Sequence, residues 1–115
     1  MSDQIDKTVR LADDSSYANI FSFMGLPLSR DLDLEALDAV VMGIPYDLGT
    51  SGRAGARSGP NGIRQASANL RWEEQRWPWA FCLNDRLQAI DYGDVQYSSG
   101  DSSDMLQQVE MHAAR

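Results

Sequence analysis

The sequence predicts an α/β chain running strand, helix, strand, helix. Three observations carry that prediction. Ala39-Val-Val-Met-Gly-Ile44 is a short apolar run with β-branched residues, stopped by Pro45, and suits a strand buried on both faces. Asp47 to Gly59 is dense in glycine, serine and arginine, which cannot continue a strand, and Pro60 then opens a helix with Ile63, Ala66 and Leu70 on one stripe. Arg86 to Tyr92 reads as a second strand ending at Gly93.

In chain order, residues 1 to 19 lack periodicity and read as a mobile arm. Ile20 to Leu28 is too apolar to lie loose in water and is expected to pack across its own domain or onto a neighbouring subunit. Leu32 to Leu37 has room for one helical turn before the first strand. Residues 1–38 are thus an arm and packing segment ahead of the α/β part, residues 39–115. Trp77-Pro78 closes the first helix, because proline disfavours helical geometry in the residue before it. Trp72, Trp77, Trp79 and Phe81 crowd one connection, where a core or interface role is the default. Ser102, Ser103 or Asp104 can cap a last helix, with Met105 or Leu106, Val109 and Ala113 on one face. Two parallel strands cannot cover both their faces and also satisfy their edges, so this order reads as the opening of a larger domain.

Composition narrows the function classes. A net charge of −7 on 115 residues argues against a nucleic-acid partner, which needs clustered positive charge. No apolar run approaches the ~20 residues of a membrane span, and no secretory signal opens the chain. The single Cys82 excludes an internal disulfide, fits a cytoplasmic setting, and reads as a partly buried small side chain.

The chemistry-bearing residues cluster after the first strand. Gly52, Gly55, Gly59 and Gly62 match neither G-x-x-x-x-G-K-[ST] nor G-x-G-x-x-G, which sets nucleotide binding aside. The loop nevertheless leaves the carboxyl end of a parallel strand, where α/β folds place their sites, so Asp47, Thr50, Arg53 and Arg57 are site-adjacent by position. Asp91 and Asp94 would suit a hard cation. With no third ligand near them, capping or pairing with Arg53, Arg57 or Arg64 is the expectation. His112 stands alone on the last helix and is read as a helix-face residue.

Gly43-Ile-Pro-Tyr-Asp-Leu-Gly49, then Thr50-Ser-Gly-Arg53, then Gly55-Ala-Arg57-Ser-Gly59-Pro60-Asn-Gly-Ile63-Arg64, with Trp72-Glu-Glu-Gln-Arg-Trp-Pro-Trp79 and Ile90-Asp-Tyr-Gly-Asp94, resembles the N-terminal part of the ureohydrolases. Within that arginase–agmatinase family the lead-in Thr50 to Arg53, the tryptophan-rich connection and Phe23-Met-Gly-Leu-Pro27 are most similar to the agmatinase branch. The resemblance implies a three-layer α/β/α fold on a parallel sheet and a trimeric or hexameric homo-oligomer. It also implies two manganese ions whose bridging hydroxide attacks a guanidinium carbon, turning agmatine into putrescine and urea. The family's Gly-Gly-Asp-His, Asp-Ala-His-x-Asp and Asp-x-Asp ligand motifs do not occur here. No catalytic or metal-binding residue can therefore be carried over, and this stretch alone is expected to be inactive. Other guanidino-compound hydrolases, such as a guanidinobutyrase, and a non-catalytic role in subunit assembly are the competing readings.

Overall fold

The computed structural model describes residues 20–33, 36–72, 75 and 77–115. Strands β1 (Ala39–Gly43) and β2 (Ala89–Asp94) pair in parallel, Ala39 opposite Ala89 and Gly43 opposite Asp94. The register shifts between Val41 and Met42, where β2 carries Tyr92 as an extra residue. Helix α1 (Gly59–Ser67) follows the loop and tightens into a 3-10 turn over Ala68–Trp72. A single turn α2 (Leu83–Arg86) precedes β2, and α3 (Ser102–Ala113) ends the order. Pro27 O accepts from Asp91 N (2.9 Å) and Asp91 O from Ser29 N (3.0 Å), so Leu28 bridges to the outer edge of β2. The packing segment therefore lies across its own domain.

Helices cover the sheet from both sides. A Cβ on Gly43 would approach Pro60 and Arg64, which places α1 on the Val41–Gly43 face. Val40 and Met42 instead line a hollow with Tyr92 and His112, on the α3 side. The Tyr92 hydroxyl and His112 Nδ1 are 2.7 Å apart, so the lone histidine is a helix-face residue tied to the sheet. The buried apolar set is small: Ala68, Ile90, Tyr92, Val95 and Met105.

Several sequence expectations need correction. β1 is not buried on both faces, since Val40 and Ile44 are 43% and 41% exposed. The stripe of α1 is also inverted: Ile63 is 58% exposed and Ala66 is exposed, whereas Arg64, Ser67 and the following Ala68 turn inward. The reason is what lies opposite. Asp91 and Asp94 face α1, and Ser67 Oγ accepts the Met24 N–H at 2.8 Å, so hydrogen-bonding side chains displace apolar ones.

The second strand begins three residues later than expected. Leu87 N donates to Leu83 O, and Arg86 lies 4.7 Å over the Phe81 ring, which holds Arg86 in a helical turn. Asp101, not a residue of 102–104, caps α3, its Oδ1 accepting the Asp104 N–H at 3.0 Å. On that helix Met105 is buried, while Leu106 and Ala113 are exposed. Helix α1 ends at Ser67, well before Trp77-Pro78. Trp77 and Trp79 are 91% and 56% exposed and form no core among the described residues. Leu32, Asp33 and Leu37 are not helical, and Leu34 and Glu35 of that expected turn, like the expected arm at residues 1–19, lie outside the described residues.

Candidate functional site

Past the last residue of β1 the chain runs Ile44-Pro45-Tyr46 to Asp47, whose carboxylate organises the loop. Asp47 Oδ2 accepts the N–H groups of Gly55 (2.9 Å) and Arg57 (3.2 Å). Oδ1 accepts Arg57 Nε at 2.9 Å and lies 2.7 Å from Nη2. Gly55 adopts φ 152°, a conformation that a side chain would strain, and this turn aims both amides at one carboxylate. The Arg57 guanidinium, helped by the Arg57 and Gly55 amides and opposed by burial, lowers the Asp47 carboxyl to about 2. The Asp47 side chain is sealed at 1% exposure, while that of Arg57 stays 61% exposed.

The residues after β2 build the facing wall. The Tyr97 hydroxyl donates to Pro45 O, and the Tyr97 and Tyr46 rings meet edge to face at 6.1 Å. Between the two strand ends lies an open cleft of about 650 Å³, lined by Asp47, Arg57, Asn61, Gln96, Tyr97 and Ser99 among others. Of the four site-adjacent residues, Asp47 and Arg57 converge here. Thr50 and Arg53 sit on the exposed outer part of the loop, Thr50 N donating to Asp47 O at 3.2 Å. Sequence reasoning missed Tyr97 and Gln96. The signal was available, because residues just past both parallel strands must border the same cleft.

Behind the cleft sits a buried ionic lock. Arg64 Nε and Nη2 donate to Asp91 Oδ2 (2.8 Å) and Oδ1 (3.1 Å), and Nη1 donates to Asp94 Oδ1 at 2.6 Å. Asp91 also accepts the Phe23 N–H (2.8 Å) and the Gly93 N–H (2.9 Å). Burial pushes the Asp91 carboxyl up, but Arg64 and the two amides together outweigh it and hold it below its ordinary value. The Asp91 hydrogen bond in turn raises Arg64 against burial. A Cβ added at Gly43 would overlap Asp94 Oδ1, so a larger residue there would have to displace that carboxylate from Arg64. Arg64 thus joins α1 to β2, Asp91 ties the Phe23 segment to the same pair, and the expected pairing of Asp91 and Asp94 with an arginine is what the structure contains.

These residues do not fit a manganese pair. No group of three or more His, Cys, Asp or Glu side chains among the described residues could hold a metal ion. Asp47 and Asp91 spend their oxygens on arginines and amides, and His112 Nδ1 is engaged by Tyr92. Cys82 is a half-buried free thiol.

A crossover from a parallel strand into a helix, with a polar cleft at the strand ends and an arginine lock beside the sheet, defines part of an α/β parallel-sheet protein. The arginase-family sequence pattern matches residues 37–115, and the chain belongs to that family. It is 49% identical over 104 residues to the agmatinase of Edwardsiella ictaluri, covering 90% of this chain and 34% of that protein. The crystal structure of a hypothetical agmatinase from Burkholderia thailandensis superposes with a TM-score of 0.77 at 39% identity, over 86% of this chain and 30% of the other. Proclavaminate amidino hydrolase from Streptomyces clavuligerus gives 0.74 at 32% identity, over 86% and 32%. The chain therefore spans about a third of the length of the curated relatives it matches, in their N-terminal part. These structures share the arginase fold, and the helix-sheet-helix arrangement described above is a portion of it.

Proposed function

We propose that this chain acts as the N-terminal portion of an agmatinase-type hydrolase, one that converts agmatine to putrescine and urea in the cytoplasm. The observation that carries this reading is 49% identity to an agmatinase across 90% of the chain. In this reading two manganese ions supply the nucleophile, held by residues outside this stretch, because the side chains described here offer no donor set for them. What the stretch contributes is placement. Asp47, kept ionised by Arg57, fixes the loop whose outer part carries Thr50 and Arg53, and Tyr97 fixes the opposite wall of the cleft. By itself the stretch is inactive. Trp77 and Trp79 offer exposed aromatic surface for a homo-oligomer, a trimer or hexamer.

A second reading, hydrolysis of another guanidino compound, is supported by the superposition on proclavaminate amidino hydrolase. A chimera separates the two. Residues 20–115 would replace the matched segment of the Edwardsiella ictaluri agmatinase, and urea release would be followed with agmatine and with guanidinobutyrate. Preferential turnover of agmatine is expected. A folded chimera that releases urea from neither compound refutes the hydrolase reading, and one that prefers guanidinobutyrate refutes the substrate.

A further inference from the structure

The Asp47–Arg57 contact leaves part of the guanidinium unused. A guanidinium has two edges that can grip a carboxylate with paired N–H groups, one made by Nε and Nη2, the other by Nη1 and Nη2. Asp47 takes the first edge, its Oδ1 lying 2.9 Å from Nε and 2.7 Å from Nη2. Its Oδ2 accepts the Gly55 and Arg57 amides, so each oxygen already has two partners and none is left for a ligand. Among the described residues no acceptor meets Arg57 Nη1, and the side chain is 61% exposed where it lines the cleft. Arg57 is thus a cation held in one orientation with its second edge unpaired. Because Asp47 holds it, little of the entropy of this long side chain is left to lose when a ligand arrives.

We propose that the cleft binds the carboxylate of a small organic acid, gripped by the Nη1–Nη2 edge of Arg57. The rest of the lining suits that ligand. Asn61, Gln96 and Ser99 supply neutral donors to the same space of about 650 Å³. Among the described residues the one carboxylate in the lining is Asp47, whose side chain is sealed at 1% exposure. In a chain of net charge −7, the charge this cleft offers a ligand is therefore positive. Acidic groups farther off oppose an anion only weakly, since physiological salt screens exposed charges beyond about 8 Å. Agmatine carries a cation at each end and has no group for this edge, so the acid is a second ligand and not the substrate proposed above. The inference goes beyond the agmatinase reading and does not depend on it.

The test is titration of the isotope-labelled 115-residue chain with butyrate, guanidinobutyrate and agmatine at constant pH and ionic strength, read by NMR shifts of backbone and side-chain N–H groups. Both acids should shift the signals of Arg57, Asn61 and Gln96, with agmatine at least about tenfold weaker. Equal affinity for the two acids means that a free carboxylate suffices, and tighter guanidinobutyrate means that its guanidino end is seated as well; either supports the site. Asp47→Asn with Arg57→Gln replaces the ion pair by neutral amides and should weaken butyrate about tenfold or more. Arg53→Gln removes an equal charge from the outer part of the loop and should change affinity by less than about twofold. Thermal unfolding shows which variants fold. If the double variant does not, Arg57→Lys decides: it still gives Asp47 a cation but has no second edge, and should lose about fivefold or more. No shift with butyrate, agmatine binding as well as the acids, undiminished affinity in the deciding variant, or an equal loss in Arg53→Gln each overturns the proposal. Failure here leaves urea release by the chimera as it is, and a chimera inactive on both compounds leaves the carboxylate site standing.

Discussion

Replacing Arg64 with methionine should markedly destabilise this chain. The Arg64 side chain is 9% exposed and is held by Asp91, whose own side chain is 0% exposed, and by Asp94 at 31%. The substitution keeps the apolar stem but leaves Asp91 as a buried carboxylate without a cation. Breaking a buried pair from one side costs about 3–5 kcal/mol. Asp91 keeps the amides of Phe23 and Gly93, and Asp94 can turn to water, which places the cost near the lower end, about 3 kcal/mol. At about 4–8 °C per kcal/mol for a domain of this size, the thermal midpoint falls by about 12–24 °C. Far-UV circular dichroism during heating and urea titration would read it. Arg64→Lys should rescue little, because a lysine cannot serve both Asp91 oxygens and Asp94 together. Adding Asp91→Leu to Arg64→Met should recover part of the loss by removing the stranded charge. A drop below about 1 kcal/mol for Arg64→Met, the range of exposed pairs, would refute the lock as a stabilising element.

Other outcomes follow from the same geometry. Gly43→Ala drives a Cβ into Asp94 and should cost about 1–3 kcal/mol in urea unfolding, whereas Gly49→Ala, with nothing within 4 Å, should not cause a clash. Asp101→Ala removes the cap on α3 and should cost about 1 kcal/mol, read by the same titration. Asp47, Asp91 and Asp104 all have carboxyls lowered in the folded chain, Asp104 chiefly by the Ser98 N–H, so each stabilises the fold fully above the ordinary value of 3.8 and loses that effect as pH falls. The thermal midpoint should stay level in this respect from pH 7 to about 5, then fall toward pH 2, and Asp47→Asn should flatten the portion between 3.8 and about 2. A midpoint with the same acid slope in both proteins would contradict the role given to Asp47.

The residues that announced themselves in the sequence were those obeying local rules. The apolar run Ala39 to Gly43 is a strand, the glycine-arginine stretch is a loop, and Pro60 stands in the first turn of α1. Arg64 escaped as an inward residue because hydrophobic periodicity counts only apolar positions. The face of α1 was decided instead by two carboxylates 27 and 30 residues away in the chain. The start of β2 was obscured in the same way: Arg86 and Leu87 look strand-like in series, yet a helical hydrogen bond and a cation stacked on Phe81 hold the turn there. At the cleft, Asp47 and Arg57 were legible from their position after a parallel strand. Tyr97 was passed over although its position just past β2 marks the same cleft; its particular contact with Pro45 is what no local pattern encodes.

In the proposed function this stretch provides scaffold and cleft wall, and the manganese ligands belong to another part of an agmatinase-type enzyme. The most direct measurement is urea release from agmatine by the purified 115-residue chain in saturating manganese, with manganese binding followed by calorimetry in parallel. No turnover and no stoichiometric tight site are expected. Two manganese ions bound per chain, with urea released above the buffer rate, would contradict it.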